Sequence, residues 1–181
     1  MNNNKEITLT TKLTLCALFV AITATLSQIS IPIGLVPINL ATLSVLCAGI
    51  LLGSKWGMLS QLIYVLIGAI GFPVFANFRG GLSALFGSTG GYLLGYIIAA
   101  YVIGLVNEFF NKENSFHLLV ISFIAGFLTY ISLGSVWFMI ISGMDLWKTL
   151  MICVFPFLIG DTIKILIAVI ICKRLSPYLK K

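Results

Sequence analysis

Charge is what this sequence lacks. Only 9% of its 181 residues are Asp, Glu, Lys or Arg, against about 25% in an ordinary soluble domain. A soluble fold of this length would have too few charges to solvate its outside, so lipid must cover much of it. Acidic groups are scarcest, with 5 Asp and Glu against 11 Lys and Arg. The single histidine, His117, has no Cys/His/carboxylate cluster around it in sequence, so no metal site is expected. The four cysteines, at positions 16, 47, 153 and 172, fall in apolar runs with no CxxC pair. They read as small buried residues rather than ligands or a disulfide framework. No Gly-Lys-Ser/Thr, HExxH or GxSxG string occurs, so the chain has no ATPase motif of its own and no hydrolase signature. Uphill movement of a solute would then take its energy from an ion gradient or a partner subunit. Neither an enzymatic activity nor a cofactor is expected.

What is present is apolar and continuous. Hydrophobic residues make up 60% of the chain and the mean hydropathy is +1.12. Runs such as Leu43 to Leu52 and Leu118 to Ile131 lack the alternating polarity that an outer-membrane barrel requires. They predict an all-α membrane protein, one transmembrane domain over residues 1–181. Six spans are expected at about 13–29, 38–52, 57–70, 82–106, 117–141 and 146–172. The first is longer than the apolar region of a secretory signal. The second and third fall short of the roughly 20 residues that cross lipid and must be tilted, kinked or internally shielded. The net charge of +6 does not point to nucleic acid, because the basic residues fall between apolar runs and at the termini instead of forming one patch. With the N-terminus cytoplasmic, Lys5, Lys12, Lys55, Lys112, Lys173, Arg174, Lys180 and Lys181 lie inside, Arg79 and Lys148 outside, and Lys164 within a span. That bias predicts both termini in the cytoplasm.

Two features carry chemistry. In the last span, Asp161 and Lys164 are three residues apart and share a helix face. Measured from Lys173, they stand roughly 18 and 13 Å into the span, within the hydrocarbon. A charge there costs at least about 2.5–3.5 kcal/mol. The pair is either a structural ion pair that neutralises itself or part of a polar cavity where Asp accepts and Lys donates hydrogen bonds to a solute. A proton relay is the weaker third choice, for want of further carboxylates. Pro156 and Gly160 loosen the helix nearby. The second feature is a cluster of eight of the 17 glycines, at 68, 71, 80, 81, 87, 90, 91 and 95. Close packing through Gly91 and Gly95 accounts for part of it. Packing does not explain Asn77, Arg79 and Tyr92 beside them, which offer an amide, a fixed cation and an aromatic hydroxyl to a planar solute bearing a carboxylate.

Four strings make the sequence resemble a known family: Gly71-Phe72-Pro73-Val74-Phe75, Gly80-Gly81, Gly87-Ser88-Thr89-Gly90-Gly91-Tyr92-Leu93-Leu94-Gly95, and Pro156-Phe157-Leu158-Ile159-Gly160-Asp161-Thr162-Ile163-Lys164. With the stretch Val36 to Leu43 they are similar to the BioY family, the biotin-specific S components of energy-coupling factor (ECF) importers. The resemblance implies a six-helix S-component fold in a bacterial cell membrane that binds biotin with high affinity from outside. It implies partners too: a transmembrane T subunit carrying two ATPase subunits. By that likeness Ala17 and Ala21 face the T subunit, Asp161 and Lys164 contact the ureido ring, Asn77 supplies a ring-contacting amide, and Tyr92 and Arg79 complete the site. The loop from Ile31 to Val36 would close the outer mouth. Ser88 stands where the family has proline, and Asn39 and Ala41 replace the usual Thr and Gln, so selectivity for another small vitamin, on this scaffold or an ion-coupled carrier, is the alternative.

Overall fold

The computed structural model describes residues 8–31, 36–110 and 115–179. Lys5, Lys112, Lys180 and Lys181, and residues 32–35 of the expected closing loop, lie outside that set. Helix α1 (Leu9–Gln28) leads into a two-residue hairpin, β1 (Ser30–Ile31) antiparallel to β2 (Ile38–Asn39). Then come α2 (Ala41–Leu52), α3 (Ser54–Ala69), a single 3-10 turn at Ala76–Phe78 and the one-turn α4 (Leu82–Leu85). The chain continues with α5 (Gly90–Phe109), α6 (Phe116–Ser142), α7 (Leu146–Cys153) and α8 (Phe155–Leu179). Among the described residues the fold is therefore helical apart from that hairpin and short connections.

Among the described residues, four helical stretches are long and apolar enough to cross a membrane: Leu9–Gln28, Gly90–Phe109, Phe116–Ser142, and Leu146–Pro177 through α7 and α8. The single run expected over 82–106 is interrupted, since α4 ends at Leu85 and α5 starts only at Gly90. The run expected over 146–172 is broken at Val154. Pro156 lies just beyond the break, where its missing N–H and its ring oppose continuation from the preceding turn. Helix starts are set locally. Thr8, Ser115 and Asp145 each accept a backbone N–H three residues on, which satisfies one of the donors that every helix N-terminus leaves open.

The short α2 solves its length problem by burial. Ten of its twelve residues are buried, because α1, α3, α5 and α8 all pack against it. It is the shielded centre of the bundle. Gly53, at φ +82°, turns the chain directly from α2 into α3. There the Glu108 carboxylate from the end of α5 accepts from the Ser54 backbone N–H at 2.8 Å and from its hydroxyl at 2.7 Å.

Helices α5 and α6 form the most extensive interface, and glycines make it possible. A Cβ on Gly91 would lie 2.2 Å from the Trp137 Cβ, and one on Gly134 would lie 2.4 Å from the Tyr92 ring. The sequence expectation of close packing at Gly91 and Gly95 holds. All four cysteines are buried, also as expected. The core divides in two. One end is aromatic, with Tyr64, Phe75, Tyr92, Tyr96, Tyr130, Phe138 and Phe157; the other, around Leu46, Ile50, Ile103, Leu119 and Val169, is mostly aliphatic. Gly91→Leu and Gly134→Leu should each lower the melting temperature in detergent, overpacking of this kind costing about 1–3 kcal/mol. Gly95→Ala, whose added Cβ would meet Tyr130 at 3.0–3.3 Å, should be milder.

Candidate functional site

The aromatic end of the bundle holds a small cavity, of about 40 Å³. Its walls come from far apart in sequence: Val36, Pro37 and Asn39 beside the hairpin, Tyr64 on α3, Phe75, Ala76 and Arg79 on the connection after α3, and Tyr92 and Tyr96 on α5, with Phe157 on α8. Tyr92 stacks on Phe157 with ring centroids 5.7 Å apart and planes at 11°, and its hydroxyl donates to the Cys153 carbonyl at 3.2 Å. The helix break at Val154 sits next to that carbonyl. The Tyr64 hydroxyl donates to the Val74 carbonyl at 3.2 Å and its ring meets Phe75 edge-on. The result is an apolar box with a few polar tips, suited to a flat ligand that has both faces and edges to satisfy.

Arg79 is exposed at the mouth. The ion pairs among the described residues are Asp145–Lys148 and Asp161–Lys164, so no carboxylate of the described residues engages the Arg79 guanidinium. An arginine free of protein carboxylates at a cavity mouth is ready for an anionic ligand, which it can hold with two parallel hydrogen bonds.

Asp161 and Lys164 lie deeper, only 2% and 4% exposed. Lys164 Nζ donates to Asp161 Oδ1 at 2.7 Å and to Thr42 Oγ1 on α2 at 3.0 Å. The Tyr130 hydroxyl on α6 donates to Asp161 Oδ2 at 2.6 Å, and Thr42 reaches Oδ1 at 3.4 Å. Three helices thus meet on one carboxylate. An ammonium has three donors and a carboxylate about four acceptor positions, so these bonds leave one N–H of Lys164 and one lone pair of Asp161 uncommitted. Tyr96, in the cavity wall, meets Tyr130 edge-on at 5.9 Å.

Of the binding residues nominated from sequence, Arg79 and Tyr92 line the cavity. Asp161 and Lys164 are not in its lining and form a buried cluster with Thr42 and Tyr130. Asn77 is on the exposed mouth loop, its Oδ1 accepting from the Ser30 hydroxyl at 2.8 Å. Ala17 and Ala21 are elsewhere: both are exposed and line an apolar groove between α1 and α3, with Leu13, Leu59 and Ile67. Sequence reasoning passed over Tyr64, Tyr96, Tyr130 and Thr42. The available signal was the tyrosines themselves, since a hydroxyl in the middle of an apolar run demands a partner.

The cavity, the buried cluster and the helix order can be set beside known proteins. A crystal structure at 2.1 Å of the S-component for biotin from an ECF-type ABC transporter superposes with a TM-score of 0.86 at 30% identity, covering 98% of this chain and 95% of that one. The sequence model of the BioY family matches residues 1–181. The chain belongs to the BioY family. Among its relatives, the probable biotin transporter BioY of Pyrococcus horikoshii is 39% identical over 165 residues, 91% of this chain and 96% of that one. The biotin transporter BioY of Thermotoga maritima is 41% identical over 159 residues, 88% and 92% of the two chains. This BioY-family chain is a multi-pass membrane protein.

The buried cluster generates a thermodynamic cycle. Asp161→Asn alone leaves the Lys164 charge without its counter-charge, and Lys164→Met alone strands the carboxylate; breaking a buried pair in this way costs about 3–5 kcal/mol. The double variant removes both charges together. Thermal unfolding in detergent should show the double variant closer to wild type than either single one.

Proposed function

We propose that this chain captures biotin in the aromatic cavity as the high-affinity S component of an ECF-type, ATP-driven importer. The observation that carries the reading is the match over nearly the whole chain to a biotin S component, together with a cavity whose chemistry fits the ligand. Biotin is a compact bicyclic urea with an apolar thioether side and a carboxylate tail. The stacked Tyr92–Phe157 wall takes the apolar rings, and Arg79 at the mouth takes the carboxylate. The urea points inward, toward the uncommitted N–H of Lys164 and lone pair of Asp161, with Tyr96 shifting to admit it. Asn77 adds an amide at the rim. Such bonds in a site without water punish analogues that leave a buried group unpaired.

Six crossings with both termini in the cytoplasm complete the reading: α1, α2, α3, α4 with α5, α6, and α7 with α8. The 8-to-2 distribution of basic residues supports it, as does the internal shielding of the short α2. The apolar groove at Ala17 and Ala21 is the surface for a transmembrane T subunit, which carries the two ATPase subunits. Small residues let a second helix backbone come close there without exposing polar groups to lipid.

Purified protein should bind biotin in preference to thiamine, riboflavin and nicotinate by isothermal titration in detergent, and biotin should be found by mass spectrometry in material purified without added ligand. Biotin binding no tighter than thiamine would remove the assignment. Ala17→Trp and Ala21→Trp should abolish co-purification with the T and ATPase subunits while biotin affinity stays within about twofold, since the groove is lined by neither Arg79 nor Tyr92.

A further inference from the structure

The cation at the mouth is carried by a backbone in an uncommon state. Asn77 and Phe78, the two residues before Arg79, have φ of +60° and +56°, the left-handed region that side chains other than glycine adopt only at a cost. Two such residues in succession persist only where the surroundings over-determine them. Packing does not hold Phe78, whose side chain is 72% exposed. Hydrogen bonds from the end of α1 do. The Gln28 amide spans the base of the loop: Oε1 accepts the Phe78 N–H at 2.9 Å, and Nε2 donates to the Pro73 carbonyl at 3.4 Å. The orientation of that amide is fixed by its partners, because a backbone N–H can only donate and a carbonyl can only accept. Beside it, Ser27 donates to the Val74 carbonyl at 2.5 Å and Ser30 to Asn77 Oδ1 at 2.8 Å. The loop closes on itself through the Phe75 N–H to the Arg79 carbonyl at 2.9 Å.

Arg79 has no protein carboxylate to place it among the described residues. The direction of its side chain is therefore set by the backbone at Phe78 and Arg79, and that backbone is held by Gln28. We propose that Gln28 is the positioning residue for recognition of the ligand's carboxylate: it locks the left-handed pair Asn77–Phe78 so that Arg79 points into the cavity mouth. Gln28 itself acts through the loop and touches no ligand. The inference rests on the reading of Arg79 as the carboxylate's partner.

The test compares biotin with biotin methyl ester, which keeps the rings and loses only the anionic group. Affinities for both are measured by titration with the full-length protein in detergent, for wild type, Arg79→Met, Gln28→Met and the double variant. Removing the charge-assisted bond at Arg79 should lower the biotin-to-ester affinity ratio by about tenfold or more. Gln28→Met, similar in shape but unable to make either bond, should lower the ratio by about fivefold or more with ester affinity within about twofold of wild type. In the double variant the ratio should fall no further than in Arg79→Met, because both changes remove the same interaction. If Arg79→Met lowers the ratio and Gln28→Met does not, or if Gln28→Met weakens both ligands equally, the role of Gln28 is overturned while the reading of Arg79 stands. If Arg79→Met itself leaves the ratio unchanged, the carboxylate reading fails and the role of Gln28 fails with it. Should Gln28→Met not fold, Ser30→Ala, which cuts the tie to Asn77 from a half-buried position, decides in its place: a fall in the ratio supports the lock, and an unchanged ratio overturns it.

Discussion

A carboxylate and an ammonium stand together in the interior of a helix bundle that faces lipid, and the arrangement of three helices follows from that. Each ion alone would be costly at this depth, and their attraction offsets the cost only when the remaining hydrogen-bonding positions are also filled. Asp161 and Lys164 are both on α8, so the pair itself is local. Its completion is not: Thr42 must come from α2 and Tyr130 from α6. Helix α2 is too short to face lipid by itself along its whole length, and the same bonds draw it to the centre, where other helices cover it.

Above this anchor the molecule exchanges tightness in one place for space in another. Glycines on α5 and α6 bring the two helices close enough that Tyr92 lies against the backbone at Gly134. The break between α7 and α8 offers the Cys153 carbonyl to the Tyr92 hydroxyl. Both features hold the ring that forms the flat wall of the cavity. On the opposite side the connection after α3 reaches the mouth through a strained turn, and the end of α1 supplies the side chains that keep it there.

Local relationships were legible in the sequence, and relationships across the bundle were not. The spacing of Asp161 and Lys164 showed a shared helix face, and the Gly91–Gly95 repeat showed a close helix contact, because each depends only on helix geometry. Arg79 and Tyr92 could be nominated because they flank those glycines. What the sequence did not disclose is how the charged pair is completed: Tyr130 on α6 binds Asp161 and meets Tyr96 of the cavity wall on α5, a contact assembled from two different helices. Nor did hydropathy mark the interruption at Val154, since apolar residues continue through it. Gln28 was not singled out from sequence. Its importance comes from the fold of a loop some fifty residues away.

The charged cluster has a further property that belongs to physics of another kind. A membrane potential does work on any net charge displaced through it, about 2.3 kcal/mol per elementary charge per 100 mV. Asp161 and Lys164 are neighbours on one helix and carry opposite charges, so the unit they form has no net charge. Were α8 to shift as a rigid body along the membrane normal, the pair would move as a dipole and the voltage would do no net work on it. Neutrality within the cluster thus makes the depth of the buried pair a matter of hydration and hydrogen bonding alone, the same in a fully energised cell and in a depolarised one.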